Sequence, residues 1–127
     1  MTSPAELNLK NLGITLPEAP SPAANYMPYV IVGDMVYVSG QVPFVNGGLQ
    51  VTGKVGDTVT IEQAAGEARI CAINLLAQLK HACGGDLSRV VQVVKLGGFV
   101  ACTNDFTDQP EVMNGASNLM VDAFGEA

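Results

Sequence analysis

Residues 29–43 read YVIVGDMVYVSGQVP, and this stretch sets the beginning of a β-sheet. Two runs of β-branched and aromatic residues lie on either side of Gly33-Asp34, a pair typical of tight turns, and together they predict a β-hairpin. A second turn at residues 46–48 leads into a short edge strand over residues 49–52. The first half of the chain therefore predicts three successive strands.

A long helix is predicted after these strands. Thr60 and Gln63 have the spacing of a capping box, and Gly84-Gly85 supplies the stop signal. Between these ends, apolar residues recur at three- and four-residue steps, which predicts one stripe facing the sheet while Gln78 points to water. The predicted stripe consists of Ala64, Ala68, Cys71, Leu75, Leu79 and Ala82.

A second helix is predicted near the end of the sequence. Asp108 precedes Gln109-Pro110-Glu111, which puts proline in the first turn and an acid near the positive end of the helix dipole. Gly125 supplies the stop. The predicted buried stripe consists of Val112, Ala116, Leu119, Met120, Ala123 and Phe124.

Residues 90–102 are rich in valine and apolar on both sides, as a central strand covered on both faces would be. Within this run, Gly97-Gly98 suggests a bulge or a close backbone approach. The element order is then β-β-β-α-β-α. Because the stripe of the second helix needs a strand beneath it, we expect a final strand to be missing from residues 1–127.

The N-terminal stretch differs in composition from the rest. Five of the seven prolines lie within the first 28 residues, so residues 1–25 are predicted to be an extended lead-in. The whole chain of 127 residues fits a single α+β domain, with a sheet packed against two helices.

Composition limits the partners. Apolar residues make up 48% and charged residues 14%, which favours an oligomer. The net charge is −6 with only six Lys plus Arg, which argues against nucleic acid. Apolar runs are too short to span a membrane and no signal pattern is evident, so we expect a cytoplasmic protein. The three cysteines have no CxxC pair, and we interpret them as buried thiols rather than as a disulfide or metal site.

Ser39-Gly40-Gln41-Val42-Pro43 resembles the SGQ-hydrophobic-Pro element of the RidA/YjgF family, also called endoribonuclease L-PSP. Further positions match this family in the correct order along the chain. They are Asn25-Tyr26, Ala68-Arg69, Asn74-Leu75, Phe99-Val100, Asn104-Asp105-Phe106 and Val112-Met113-Asn114. The proline-rich beginning and the extra residues at 107–110 are similar to those of a longer subfamily.

The resemblance implies a chorismate-mutase-like fold in which three chains close a barrel, with ligand clefts between subunits. It also implies an enamine/imine deaminase that hydrolyses 2-imino acids such as 2-aminoacrylate to a 2-keto acid and ammonia, without cofactor or metal. In the family, an arginine binds the substrate carboxylate and a glutamate orients the water. We expect both beyond Ala127, because Arg69 and Arg89 do not match the arginine position.

The resemblance assigns substrate contacts to a few residues. Tyr26 would border the ligand across a subunit interface, and Asn114 would donate an amide to a ligand oxygen in the same cleft. Their alternatives are a packed tyrosine and a helix cap. The remaining expected contacts are Ser39 and Gln41 as polar edges, Gly40 as a close backbone approach, and Phe106 as an apolar wall. A turn or bulge is the alternative for residues 39–41, and core packing is the alternative for Phe106.

Other readings stay open. A non-catalytic trimer that binds or senses a small molecule with a carboxylate is the second function class. A ribonuclease is least favoured because the composition is acidic. His81 is interpreted as a solvated residue near a helix end, and Cys102 as a buried thiol. The physiological substrate and any regulation cannot be inferred from these residues.

Overall fold

A computed structural model of the chain describes residues 3–18, 27–45, 48–49 and 51–125. The described part contains three helices, two small antiparallel sheets and a 3₁₀ turn at Leu87–Arg89. The helices are α1 (Pro4–Asn11), α2 (Ile61–Ala82) and α3 (Gln109–Phe124). The strands are β1 (Tyr29–Val32), β2 (Met35–Val38), β3 (Phe44–Val45) and β4 (Gly48–Leu49).

Helix α2 begins and ends where the sequence predicts. The Thr60 hydroxyl accepts a hydrogen bond from the Gln63 amide at 3.1 Å, and the Gln63 side chain accepts from the Thr60 amide at 2.9 Å. At the other end, Gly84 and Gly85 have φ angles of 68° and 96°, in the left-handed region that favours glycine. Both ends are therefore specified by local chemistry.

The buried surface of α2 is wider than one stripe. Its fully buried residues are Ala64, Ala72, Asn74, Leu76, Ala77 and Gln78, whereas the other five residues of the predicted stripe are only half-buried. Gln78 is 2% exposed, so its predicted position towards water is wrong. The reason is that α2 packs against α3 on one side and against β1, β2 and β3 on another, which covers positions that a single stripe leaves to solvent.

Helix α3 also has the predicted ends. Asp108 precedes it, although its carboxylate makes no capping hydrogen bond, and Gly125 ends it with a φ angle of 76°. Val112, Ala116, Leu119 and Ala123 are buried along one face, as the sequence predicts. This face packs on α2, and Gly115 lies against the Ala65 carbonyl group.

Helix α1 corrects the prediction of an extended lead-in over residues 1–25, because residues 4–11 are helical. Ser3 and Glu6 form a capping box and Pro4 occupies the first turn, where its missing N–H costs nothing. Leu9 is 1% exposed in the core beside α2 and α3. The capping box was a local signal that the high proline content obscured.

The predicted hairpin forms as β1 paired antiparallel with β2, from Tyr29 opposite Val38 to Val32 opposite Met35. Gly33 at its turn has a φ angle of 57°. The predicted edge strand over residues 49–52 is wrong in its extent. Only Leu49 of that range is in a strand, where it pairs with Phe44.

Residues 90–102 do not form the predicted central strand. The described backbone pairs there only around Cys102, where the Val55 amide donates to the Ala101 carbonyl at 2.9 Å. Val94 and Phe99 are 67% and 105% exposed. The segment has the composition of a strand, but a strand exists only where a neighbouring backbone supplies hydrogen bonds, and the described residues supply almost none.

Gly98 makes the close approach that was predicted for this pair. A β-carbon at Gly98 would overlap the Met113 side chain of α3, whereas one at Gly97 would meet no heavy atom within 4 Å. Leu96 and Val90 pack on the core formed by the three helices. One side of the segment is thus covered by helix, and the other carries its exposed valines and phenylalanine.

Candidate functional site

The loop of residues 39–43, between β2 and β3, is fixed to the end of the hairpin. The Ser39 amide donates to the Pro28 carbonyl at 2.9 Å, and the Ser39 hydroxyl donates to the Met27 carbonyl at 2.5 Å. The Gln41 side chain donates to the Ser39 carbonyl at 3.1 Å. The polar side chains predicted as ligand contacts therefore also build the loop itself.

The far end of this loop is fixed to α2. The Asn74 side chain, only 5% exposed, donates to the Val42 carbonyl at 3.2 Å. Pro43 follows and restricts the conformation of the residue before it. Gly40 and Gln41 are thus the free span between two anchored positions.

The Gly40 backbone faces open space. A β-carbon built on Gly40 would meet no heavy atom within 4 Å, so nothing in the described chain occupies this side of the loop. Within the described residues, the amide groups of Gly40 and Gln41 have no acceptor. Two unpaired N–H groups beside open space can donate hydrogen bonds to an anionic oxygen.

Phe106 and Asn114 lie in a different part of the chain. Phe106 is half-buried against the cluster that includes Val55 and Val112, and its carbonyl accepts from the Gln109 side chain at 2.9 Å. Asn114 is exposed in the second turn of α3. Asp108, not Asn114, occupies the capping position, so Asn114 does not have the capping role weighed against ligand binding.

Within one chain, the loop of residues 39–43 does not lie next to Phe106 and Asn114. The loop reaches α2 at Asn74, whereas Gly115, next to Asn114, packs at Ala65. Nine residues of helix separate these points, which corresponds to about 13 Å along the axis. Tyr26, the remaining predicted contact, lies outside the described residues.

The sequence missed two contacts near the loop. The sequence shows Asn74 as an amide within a mostly apolar helix, but it does not identify the partner, which is the Val42 carbonyl. The Tyr29 hydroxyl lies 2.6 Å from His81 Nδ1, with the rings 5.7 Å apart. No local pattern signals this pair, which joins the hairpin to the last turn of α2. His81 is exposed, as interpreted from the sequence.

The cysteines have the character of structural thiols. Burial, together with the neighbouring Glu67 carboxylate, raises the pKa of Cys71 to about 11, and burial raises the pKa of Cys83. Both thiols therefore stay protonated at neutral pH. Cys102 is half-buried and accepts a weak contact from the Gln109 side chain at 3.6 Å.

Among the described residues, no group of three or more His, Cys, Asp and Glu side chains could hold a metal ion. Of the three helices, none combines the length and apolar character needed to cross a bilayer. Arg89 donates to the Cys83 carbonyl at the end of α2, at 3.4 Å.

The two long helices, the hairpin and the anchored loop define a small α+β protein of the chorismate-mutase-like class. Residues 6–127 match the family described as "YjgF/chorismate mutase-like, putative endoribonuclease", and the chain belongs to this family. The family and fold expected from the sequence are thereby confirmed.

Three relatives show the extent of the similarity. Protein TCP17 of Trypanosoma cruzi is 45% identical over 119 residues, which are 94% of this chain and 74% of that protein. The crystal structure of Atu1372 from Agrobacterium tumefaciens, described as having unknown function, is 47% identical with a TM-score of 0.87, over 97% of this chain and 74% of that one. A "putative endoribonuclease" from Shewanella oneidensis MR-1 is 36% identical with a TM-score of 0.92, over 97% and 81%.

Proposed function

We propose that the protein is an enamine/imine deaminase that hydrolyses small 2-imino acids, such as 2-aminoacrylate, to a 2-keto acid and ammonia. The observation that carries this proposal is the open backbone edge at Gly40 and Gln41. Its two N–H groups lack an acceptor among the described residues, and both ends of the loop are fixed. A rigid edge with free donors suits a small planar substrate that carries a carboxylate.

The reaction requires few catalytic groups from the protein. The enamine gains a proton at carbon and loses one from nitrogen to become an imine, and water adds to the imine carbon. The C–N bond of the resulting carbinolamine then breaks as the hydroxyl proton moves to nitrogen, which releases ammonia and leaves the keto group. Because the imine carbon is already electrophilic, catalysis consists of holding the carboxylate, aligning the water and moving protons. Free amides at residues 40 and 41 can contribute to the first of these tasks by donating hydrogen bonds to an oxygen of the substrate.

We propose that the site is completed between chains of a homotrimer. About 13 Å of α2 separates the loop from the surface next to Asn114, which is too far for one small substrate to contact both. A neighbouring chain can bring Phe106 and Asn114 to the loop. The exposed side of residues 90–102, with Phe99 fully exposed, offers apolar surface for such an assembly.

Sedimentation equilibrium tests the trimer. Phe99→Glu would place a charge on this surface and is expected to shift the protein towards monomer. Leu7→Glu is the matched control, since Leu7 is another exposed apolar residue, at 50%, but lies on α1. A monomeric wild-type protein, or a trimer that resists Phe99→Glu as well as Leu7→Glu, would contradict this assembly.

A non-catalytic trimer that binds a small carboxylate is the second candidate. One observation favours it: the Ser39 hydroxyl and the side-chain amide of Gln41 both donate to backbone carbonyls, so neither is free to handle a proton. A ribonuclease is the least supported reading. Binding a phosphate backbone draws on cationic side chains, and the net charge is −6.

The deciding experiment generates 2-aminoacrylate in situ and follows ammonia release with purified full-length protein. Gly40→Val is the informative variant, because a β-carbon there would meet no heavy atom within 4 Å and the added side chain would lie beside the free amides. We expect Gly40→Val to keep its melting temperature and to lose most turnover. Gly66→Ala, on an exposed turn of α2, is the control and should keep turnover.

The outcomes separate the hypotheses. No acceleration by the wild-type protein, combined with saturable binding of pyruvate that Gly40→Val abolishes, would favour the non-catalytic trimer. Full turnover in Gly40→Val would show that this loop is not the site. Cleavage of an RNA substrate by wild type and not by Gly40→Val would support the ribonuclease instead.

A further inference from the structure

Asn74 is one of two buried polar residues, with Gln78, on a helix whose other buried residues are apolar. It is 5% exposed, and its immediate buried neighbours on α2 are Ala72 and Leu76, both 0% exposed. An amide in such a place is stable only when it is hydrogen-bonded, and Asn74 donates to the Val42 carbonyl of the loop at 3.2 Å. Helix formation and core packing do not require this side chain, since an apolar residue would serve both better.

The position of Val42 gives this hydrogen bond its significance. Val42 directly follows Gln41, and its carbonyl belongs to the peptide unit that joins it to Pro43. Holding that oxygen fixes the orientation of the peptide plane. The other end of the loop is held at Ser39 by two hydrogen bonds to residues 27 and 28.

Only Gly40 and Gln41 remain between the two anchors. Glycine has access to more backbone conformations than any other residue, so its amide direction depends on the anchors at either side. Releasing the Val42 carbonyl would free the peptide planes that carry the unpaired N–H groups of Gly40 and Gln41. The loss would appear first in substrate placement and not in the fold.

We propose that Asn74 is a positioning residue for the ligand site, acting through the Val42 carbonyl to aim the free amides of Gly40 and Gln41. This inference rests on the function proposed above. Asn74 itself touches no substrate in this arrangement. Because the Asn74 side chain projects from a continuous helix, it fixes the position of the loop backbone relative to α2.

The test compares Asn74→Leu, which keeps the approximate volume and removes the donor, with Ile73→Val. Ile73 is the neighbouring residue on α2, and it packs against the core of the three helices. Both variants remain folded if their circular dichroism and trimer mass match wild type. A decrease in melting temperature that both variants show is then attributed to altered packing alone.

Hydrogen–deuterium exchange gives the readout that does not depend on catalysis. In Asn74→Leu, peptides covering residues 39–45 should exchange faster, whereas Ile73→Val should leave them unchanged. Equal exchange of this peptide in wild type and Asn74→Leu would overturn the proposal. This measurement decides the role of Asn74 even if the wild-type protein hydrolyses no imine.

Kinetics gives the second readout. A displaced backbone edge is expected to lower kcat/KM for 2-aminoacrylate by about ten- to a hundredfold in Asn74→Leu. Ile73→Val should keep both kcat and KM. Faster loop exchange with unchanged kcat/KM would also overturn the proposal, because the loop would then be ordered by Asn74 without serving the reaction.

Discussion

The carbonyl group of Ala65 on α2 lies against the α-carbon of Gly115 on α3, so closely that a β-carbon at Gly115 would overlap it. This is where the two long helices approach each other through backbone atoms. Gly115→Ala should therefore lower the free energy of unfolding by about 1–3 kcal/mol, because the helices must separate to admit the methyl group. Thermal or urea unfolding measures this change.

Gly66→Ala is the matched control for that substitution. It is also a helical glycine, but a β-carbon there meets nothing within 4 Å. Replacing it should stabilise the helix by up to about 1 kcal/mol. If Gly115→Ala raised the melting temperature as Gly66→Ala does, the close approach of the two helices would be refuted.

The ion pair that joins α1 to α2 predicts a dependence of stability on pH. Lys80 Nζ lies 2.6 Å from Glu6 Oε1, and the Lys80 hydrogen bond holds the pKa of Glu6 below its ordinary value of 4.5. A carboxylate with a lowered pKa stabilises the folded state above its ordinary pKa, and this contribution disappears as the pH falls through the folded-state pKa. The contribution is small, about 1 kcal/mol at most, because Lys80 is 41% exposed.

Glu6→Gln tests this ion pair while preserving the capping box, which accepts Glu or Gln. The variant should be less stable than wild type at pH 7, and the difference should shrink as the pH falls below 4.5 and through the lowered pKa of Glu6. Glu62→Gln, in the first turn of α2, serves as the control for loss of one carboxylate. A difference that persists unchanged at pH 3 would assign the effect to packing.

The pKa of Cys71, raised to about 11, predicts low reactivity. At pH 8 only about one thiol in a thousand would be ionised, so alkylation by iodoacetamide should be slow and should accelerate steeply towards pH 10. Glu67→Gln removes the weaker of the two causes and should speed alkylation modestly, leaving burial in place. Mass spectrometry of the Cys71 peptide measures the rate, and rapid labelling at pH 7 would contradict the buried environment.

Asn114 and Tyr26 remain predicted ligand contacts. In the full-length protein, Asn114→Ala and Tyr26→Phe should each lower turnover of 2-iminopropionate while leaving the melting temperature and trimer mass near wild type. Asn118→Ala, one turn further along α3 and also exposed, is the control for loss of a surface amide. Unchanged turnover in both variants would remove these residues from the site, and loss of the trimer would give them a structural role.

The helices show what the sequence alone can determine. The ends of α2 and α3 were predicted correctly because capping residues and terminal glycines act within a few residues of themselves. Helix α1 was missed although Ser3 and Glu6 form an equally local box. The high proline content of residues 1–25 predicted an extended backbone, although the capping box indicated a helix.

The sheet and the site show where such prediction ends. The strand expected over residues 90–102 needs backbone partners whose identity no local pattern reveals, and the described residues supply one bridge at Cys102. The family motif located the loop of residues 39–43, but it did not reveal that Asn74 would hold the loop from 32 positions away. Long-range hydrogen bonds depend on how elements pack, which local propensity does not encode.

The exposed segment of residues 90–102 also has the features of a site at which chains aggregate. Unpaired backbone groups beside Val91, Val94 and Phe99 form the kind of template on which aggregates grow. Gln92 and Lys95 interrupt the run of valines, as gatekeeper residues do in aggregation-prone strands. The charge of Lys95 opposes the pairing of this exposed edge with another chain, an effect separate from folding and from binding any ligand.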